Sequence, residues 1–228
     1  AALQYRPGEL TFIERRNEAY ENAVINVVVM PMENSHYRFS SYNNHEITNF
    51  ENDLLRQLQH NTGNQFVRFY TPWDANSRNI QPDQFIDLRF STFDFGRTRD
   101  ERTTREVSKD VVVKETVYRP DSVVKEYKKV YAKITTIKRK MVSIGNLQIN
   151  VRDARGYSLW TENIRGDHNW YTEFSTYTGD ERALTDSDKE LVNRRQEYPP
   201  QEDEITRCII SEINNKMTGK IRNYFSRL

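Results

Sequence analysis

Residues 102–140 constrain this chain more than any other stretch. They read RTTREVSKDVVVKETVY, then RPDS, then VVKEYKKVYAKITTIKRK. Two runs rich in β-branched residues and Tyr flank a Pro-Asp turn, which is the pattern of a β-hairpin. Each arm holds about 15 residues, roughly 50 Å at about 3.3 Å per residue. Ordinary strands hold about 5–6. The polar content is too high for strands buried on both faces. The stretch therefore predicts an arm projecting from a compact α/β body.

Arg119-Pro120-Asp121-Ser122 suits a type I turn, with Pro120 fixing φ near the required value. Two registers compete. A two-residue loop sets Glu115 opposite Glu126, which costs stability. A three-residue loop sets Glu115 opposite Lys125 and Lys114 opposite Glu126, with Val113 beside Tyr127, and is preferred on that ground. It requires positive φ at Asp121. In that register Val111, Val113, Glu115, Val117, Val123, Lys125, Tyr127, Lys129 and Tyr131 share one face. Val112, Lys114, Thr116, Tyr118, Val124, Glu126, Lys128 and Val130 share the other. A two-stranded ribbon is marginal alone, so the arm needs a partner, a neighbouring subunit or a third strand.

The arm is also basic. Residues 101–140 carry twelve Lys and Arg against six Asp and Glu, a net of +6 on a chain whose total is +1, leaving −5 elsewhere. That asymmetry points to oriented binding on an acidic surface: another protein, nucleic acid or anionic lipid. The same lysines also read as edge protection against aggregation.

At 228 residues the chain suits one domain that buries a real core. Charged residues make up 29% and mean hydropathy is −0.88, yet an apolar fraction of 36% argues for a folded chain over a disordered one. No run of apolar residues is long enough for a transmembrane helix. The chain starts at Ala1 without a signal sequence, so any export signal or lipid anchor is expected upstream. The single Cys208 forms no internal disulfide and fits the cytosol or an envelope compartment.

Along the chain, Leu10, Ile13, Asn17, Tyr20 and Val24 keep helical spacing over 9–22. Residues 23–32 (AVINVVVMPM) read as a buried central strand closing at Pro31. A polar loop spans 33–43. A helix follows over 44–61, with Ile47, Phe50, Leu54, Leu55 and Leu58 on one face and Gly63 past its end. A second strand covers 65–70, a turn-rich connection 71–82, and a third strand 84–98. Residues 141–151 continue as strand, with a phase shift near Gly145 that suggests a β-bulge. Asp153-Ala154-Arg155-Gly156 is a type I turn, and 157–164 pairs back. Residues 166–200 read as a long polar loop. Pro199-Pro200 opens a last helix whose stripe is Ile205, Ile209, Ile213, Met217, Ile221, Tyr224 and Leu228.

This order predicts an α+β fold, a two-layer α/β sandwich on a mixed sheet with a long protruding β-hairpin arm. The expected organisation is one domain over 1–228, with 102–140 as the arm and 166–200 as the loop.

No constellation carries catalysis. Asp94-Phe95-Gly96 matches a kinase tripeptide but lacks every companion motif, so it reads as a strand end. His36, His45, His60 and His168 lack ligand spacing, so no metal is expected, and no cofactor either. Cys208, beside Ile209, reads as a core thiol. Asp167, Asp180, Glu181, Asp186 and Asp188 read as solvated loop acids without calcium-loop spacing. Trp160 reads as core. Trp170 and Tyr171, in the polar loop, are candidates for stacking on a ligand.

The stretch VINVVVMPM, a helix, a long hairpin and then LQINVRDARGYSLWTENIRGD resembles envelope lipoproteins related to the curli secretion channel CsgG, and the TolB amino-terminal domain. The matching residues are Val151, Asp153, Gly156, Leu159 and Trp160. Residues 175–188 (STYTGDERALTDSD) resemble envelope proteins of Gram-negative bacteria. The resemblance spans roughly 23–228 by element order. It implies a periplasmic, outer-membrane-associated assembly or scaffold part with no catalytic residues to carry over, for which an upstream lipid anchor is one option. The arm departs from that family, because lysines on both faces do not suit a lipid-facing strand, at about 2–4 kcal/mol each.

The expected function is that of a non-enzymatic subunit of an envelope assembly. Its partners would be other protein subunits, outer-membrane proteins or copies of itself. Val111, Val113, Tyr118, Tyr127, Val130 and Tyr131 would supply buried contact, and Lys125, Lys128, Lys129 and Lys133 would orient it. A nucleic-acid binder using the basic ribbon is the alternative.

Overall fold

The computed structural model describes residues 10–32, 41–60, 63–119 and 122–228. Its elements are α1 (Leu10–Ala23), β1 (Ile25–Val29), α2 (Ser41–His60), β2 (Val67–Tyr70), α3 (Pro72–Ser77), β3 (Gln84–Asp94), β4 (Arg99–Arg119), β5 (Ser122–Asp153), β6 (Ser158–Gly179), α4 (Asp186–Asn193) and α5 (Glu202–Phe225). The strands form one mixed sheet in the order β2-β1-β3-β5-β4, with β6 also on β5. The expected α+β class and mixed sheet are observed. The chain divides into two compact units, residues 1–95, 144–168 and 202–228, and residues 96–143 and 169–201.

In the first unit β1 runs parallel to β2 and β3, and β3 pairs antiparallel with β5. The Val-rich β1 lies between two strands, and Val27, Val28 and Val29 are all buried. The helical layer is α2 with Ile47, Phe50, Leu54 and Leu58 inward, and α5 with Ile205, Ile209, Ile213, Met217, Ile221 and Phe225. Each such side chain contributes about 1.5–3 kcal/mol on burial. Phe225 meets Phe69 edge-on at 5.1 Å between ring centres, and Asn64 Nδ2 donates to the Phe225 carbonyl, holding the end of α5 on β2.

Helix α5 lies unusually close to the sheet, and two glycines allow it. A Cβ on Gly145 would sit 2.6 Å from Ile209 Cγ2, and one on Gly166 would sit 2.7 Å from the Ile209 carbonyl oxygen and 2.8 Å from Ile213 Cγ1. Real side chains do not approach so closely, so the helix closes on β5 and β6 only where Cβ is missing.

Several expectations change. The inward face of β5 runs unbroken through Met141, Ser143, Gly145, Leu147, Ile149 and Val151. The bulge is in the partner strand at Ser91, between the pairs Phe90–Leu147 and Thr92–Asn146. Small residues at Ser143 and Gly145 mimicked a phase shift because their outward neighbours, Val142 and Ile144, are larger. Cys208 is exposed rather than in the core. Although beside Ile209 in sequence, it lies about 100° round the helix from it. The turn-rich connection contains α3, capped by Thr71 Oγ1, which accepts from the Asp74 amide. Of the polar loop expected over 33–43, residues 33–40 lie outside the described residues and 41–43 begin α2.

Residues 166–200 are not a loop. Strand β6 runs to Gly179, a 3-10 turn covers Glu181–Ala183, and α4 follows. Buried polar residues on both faces, Thr172 on one and Ser175 on the other, hid the strand alternation. The signal for α4 was the pair Thr185 and Asp188, which form a capping box.

The second unit has a small core of Val130, Ala132, Ile134, Ala183 and Leu184, against which Val107, Val111, Tyr177 and Val192 pack. Gly179, at φ +115°, brings β6 to its end against Tyr131, where a Cβ would sit 2.5 Å from the Tyr131 carbonyl oxygen. The Asp180 amide then donates to that same oxygen at 2.9 Å. Asp188 is 2% exposed and does three things: it accepts from the Thr185 amide and hydroxyl, and it pairs with Arg105 of β4. Its carboxyl lies below the usual carboxylate range. Burial pushes it up, but the Thr185 hydrogen bonds and the Arg105 charge outweigh that.

Two outcomes test this packing. Gly166→Ala is expected to destabilise by about 1–3 kcal/mol. Gly219→Ala, on α5 with open space around it, is expected to stabilise by about 0.4–1 kcal/mol. Opposite shifts in Tm of about 2–4 °C per kcal/mol check the pair. Asp188→Asn is expected to cost about 1–3 kcal/mol at pH 7. Because the folded carboxyl lies below its unfolded value near ~4, its contribution is present above that pH and lost as pH falls through the folded value. Urea unfolding should therefore show the gap between wild type and D188N closing below about pH 4.

Candidate interaction surface

The hairpin adopts the charge-matched register, but not through the expected three-residue loop: Arg119 pairs with Ser122, and a bulge at Tyr118 brings Val117 opposite Val123. Glu115 faces Lys125 and Lys114 faces Glu126, and the Lys125 ammonium lies 3.0 Å from the Glu115 carboxylate. The hydrogen bond to Glu115 raises the Lys125 pKa above the ordinary lysine value. The turn at Pro120 and Asp121 lies outside the described residues.

Below these rungs β4 carries a bulge at Val113, so that Val112, and not Val113, faces Tyr127. The expected faces therefore change beyond the bulge. One face carries the rungs Ser108–Tyr131, Asp110–Lys129, Val112–Tyr127, Glu115–Lys125 and Val117–Val123. The other carries Val107–Ala132, Lys109–Val130, Val111–Lys128, Lys114–Glu126 and Thr116–Val124. Val111 thus leaves the Tyr127 face. The physical reason is charge matching. Asp110–Lys129 and Glu106–Lys133 pair together with Lys114–Glu126 only if one residue on β4 is left over between them.

The two faces have different fates. Val130 is 6% exposed and Val111 half-buried, because the 3-10 turn and α4 cover them. Both are structural, not available to a partner. The opposite face is open: Tyr127 is 63% and Tyr131 64% exposed, and Val112, Val117 and Val123 are exposed as well. Apolar rungs alternate there with Lys–acid rungs. Val113 is exposed at the bulge. The exposed lysines divide: Lys125, Lys129 and Lys133 lie on the tyrosine face, and Lys128 on the other. The side chain of Tyr118 lies outside the described residues.

Part of the basic charge is internally paired. Arg139 forms a two-pronged bond with Asp100 at 2.6 and 2.8 Å, which holds Asp100 below the usual carboxylate range. Lys138 lies 3.7 Å from Glu173, and Lys140 3.9 Å from Glu101.

The hairpin also offers backbone. Since β6 stops at Gly179 beside Tyr131, the stretch 123–130 of β5 pairs, among the described residues, only with β4. Its other edge presents amides and carbonyls to an incoming strand. Reading residue by residue missed this edge because it depends on where β6 ends.

The aromatic candidates separate. Trp170 and Tyr171 are neighbours on β6 and so point to opposite faces, which rules out a shared platform. The Tyr171 hydroxyl donates to Glu173 Oε2 at 3.0 Å, and burial with that bond raises its pKa. Trp160 stacks on Tyr224 at 5.0 Å and 16°. Of the acids read as solvated, Asp188 is buried, and Asp180 is held at about pKa 2 by its side-chain bond with Arg182 and the Arg182 amide. Among the described residues no His, Cys, Asp and Glu cluster could hold a metal ion, and no helix is long and apolar enough to cross a membrane.

No protein-family model matches the chain, and no curated protein matches it. Among solved structures it is similar to a neuraminyllactose-binding hemagglutinin homolog from Helicobacter pylori, with 12% identity over 89% of this chain and 90% of that one, at a TM-score of 0.36. It is also similar to a minor lipoprotein from Acinetobacter baumannii, with 8% identity over 88% and 93% of the two chains, at a TM-score of 0.26. Similarity at that level defines neither activity nor ligand.

The register predicts a charge-reversal result. Glu115→Lys should speed amide hydrogen exchange across 112–127, and adding Lys125→Glu should restore protection. Equal exchange in all three proteins would contradict the pairing.

Proposed function

We propose that this protein is a non-enzymatic subunit of a bacterial envelope assembly and docks on another protein through the open face of its hairpin. The observation that carries the docking is the ladder in which Tyr131, Tyr127–Val112 and Val123–Val117 alternate with Lys129–Asp110 and Lys125–Glu115. Exposed tyrosines are strong interface anchors, since they bury much area at low entropic cost. The flanking lysines fix orientation and raise the association rate more than the affinity. The free edge of β5 supports a partner that adds a strand beside residues 123–130. The envelope setting rests on the sequence resemblance.

On the tyrosine face Lys125, Lys129 and Lys133 stand opposite Glu115, Asp110 and Glu106, which favours a protein over a nucleic acid. Lysines held opposite carboxylates release few counterions from a phosphate backbone.

Photo-crosslinkers placed at Tyr127 and at Lys128 test the reading in cells that make the protein. Crosslinks to a protein from position 127, and few from 128 on the opposite face, are expected. Tyr127→Ser with Tyr131→Ser should weaken capture by about tenfold or more without lowering Tm. Crosslinks to nucleic acid, or equal yields from both faces, would sink the proposal.

A further inference from the structure

The first unit contains a crevice that the hairpin reading does not use. Strands β1 and β2 are parallel, so their carboxyl ends lie at the same edge of the sheet, and α2 is the crossover between them. The chain then returns to the other side of β1 as β3, so connections diverge at β1. In open sheets of this kind, ligands bind just outside the carboxyl ends at such a point.

A cavity of about 500 Å³ lies there. That is within the roughly 300–1,000 Å³ of small-molecule sites. Its walls are mostly apolar, with Met30 and Pro31 after β1, Leu55 of α2 and Pro72 after β2, and Asn52 and Thr71 as polar members. The tight Thr71-capped start of α3 presents Trp73, which is 75% exposed and lines the same cavity. An indole left so exposed forgoes a large apolar burial, which marks it as a contact surface. The acid in the wall is Glu51, whose Oε1 accepts from the Met32 amide and is thereby fixed in place. Among the described residues, no Lys, Arg or His lines the cavity.

An anchored carboxylate, an indole face and largely apolar walls together favour one ligand chemistry. We infer that this crevice binds a small apolar amine, a flat ring bearing a protonated amino group. The ammonium would pair with Glu51, and the π-face of Trp73 would attract the same charge. An anion would meet Glu51 unfavourably, and a neutral analogue would lose both charge interactions.

The test uses the full chain with ¹⁵N-labelled tryptophan, following the Trp73 indole N–H by NMR. Its assignment comes from Trp73→Phe, a change at an exposed position that should leave the fold intact. The probes are tryptamine, its neutral alcohol analogue tryptophol, and the anion indole-3-acetate at pH 7. Saturable shifts with tryptamine are expected, with tryptophol at least tenfold weaker and indole-3-acetate without effect. Glu51→Gln keeps an acceptor for the Met32 amide, so Tm should hold while tryptamine affinity falls to the tryptophol level. No saturation by tryptamine up to about 10 mM, equal affinity for the three probes, or unchanged tryptamine affinity in E51Q would overturn the inference.

Discussion

The close seat of α5 on the sheet governs the first unit. Ile209 and Ile213 reach β5 and β6 because Gly145 and Gly166 lack Cβ atoms. With the helix that near, Ile205, Met217, Ile221 and Phe225 bury completely or nearly so along the same stripe. Helix α2 then packs beside α5, with Thr218 Oγ1 donating to Gln57 Oε1 at 3.0 Å. A gap of even half an ångström along such an interface forfeits much of its dispersion energy. Two absent methyl groups therefore set the spacing on which the whole helical layer depends.

The second unit is held differently. Its core has few large side chains, so much of its definition comes from polar contacts with fixed geometry: the Asp188 clasp on Arg105, the capping box, and the Asp100–Arg139 fork. Exposed ion pairs contribute about 0–1 kcal/mol each, so they specify register more than they stabilise. Beyond Val111 the ribbon has two strands and two open faces, which is marginal in water without a partner. Its construction is consistent with a surface that completes itself on contact.

Much of this was legible in the sequence. The hairpin register followed from like and unlike charges, and the α5 stripe from its period of three and four. Even the bulge at Val113 was implicit, since Asp110 and Lys129 cannot pair in the register that pairs Lys114 with Glu126 unless one residue is skipped. What escaped had a physical cause. Strand β6 buries Gly166 and Thr172 on one face and Ser175 on the other, so its alternation carried little hydrophobic contrast. Cys208 was judged by its neighbour in sequence rather than by its angle on the helix. The open face of the ribbon was misassigned by half because one extra residue inverts every side chain beyond it. The Trp73 crevice depends on three segments far apart in the chain, and no single stretch announces it.

Strand β5 has a further property. The three register irregularities in its pairings with β3 and β4 all fall on those neighbours: Ser91 on β3, and Val113 and Tyr118 on β4. Residues 122–140 of β5 keep an uninterrupted count against β4, and residues 144–153 keep one against β3. It behaves as the ruler of the sheet, and the flanking strands absorb the slack. Over evolutionary time, single-residue gains and losses should accumulate in β3 and β4 and be purged from β5, where one added residue would swap inside for outside along everything downstream.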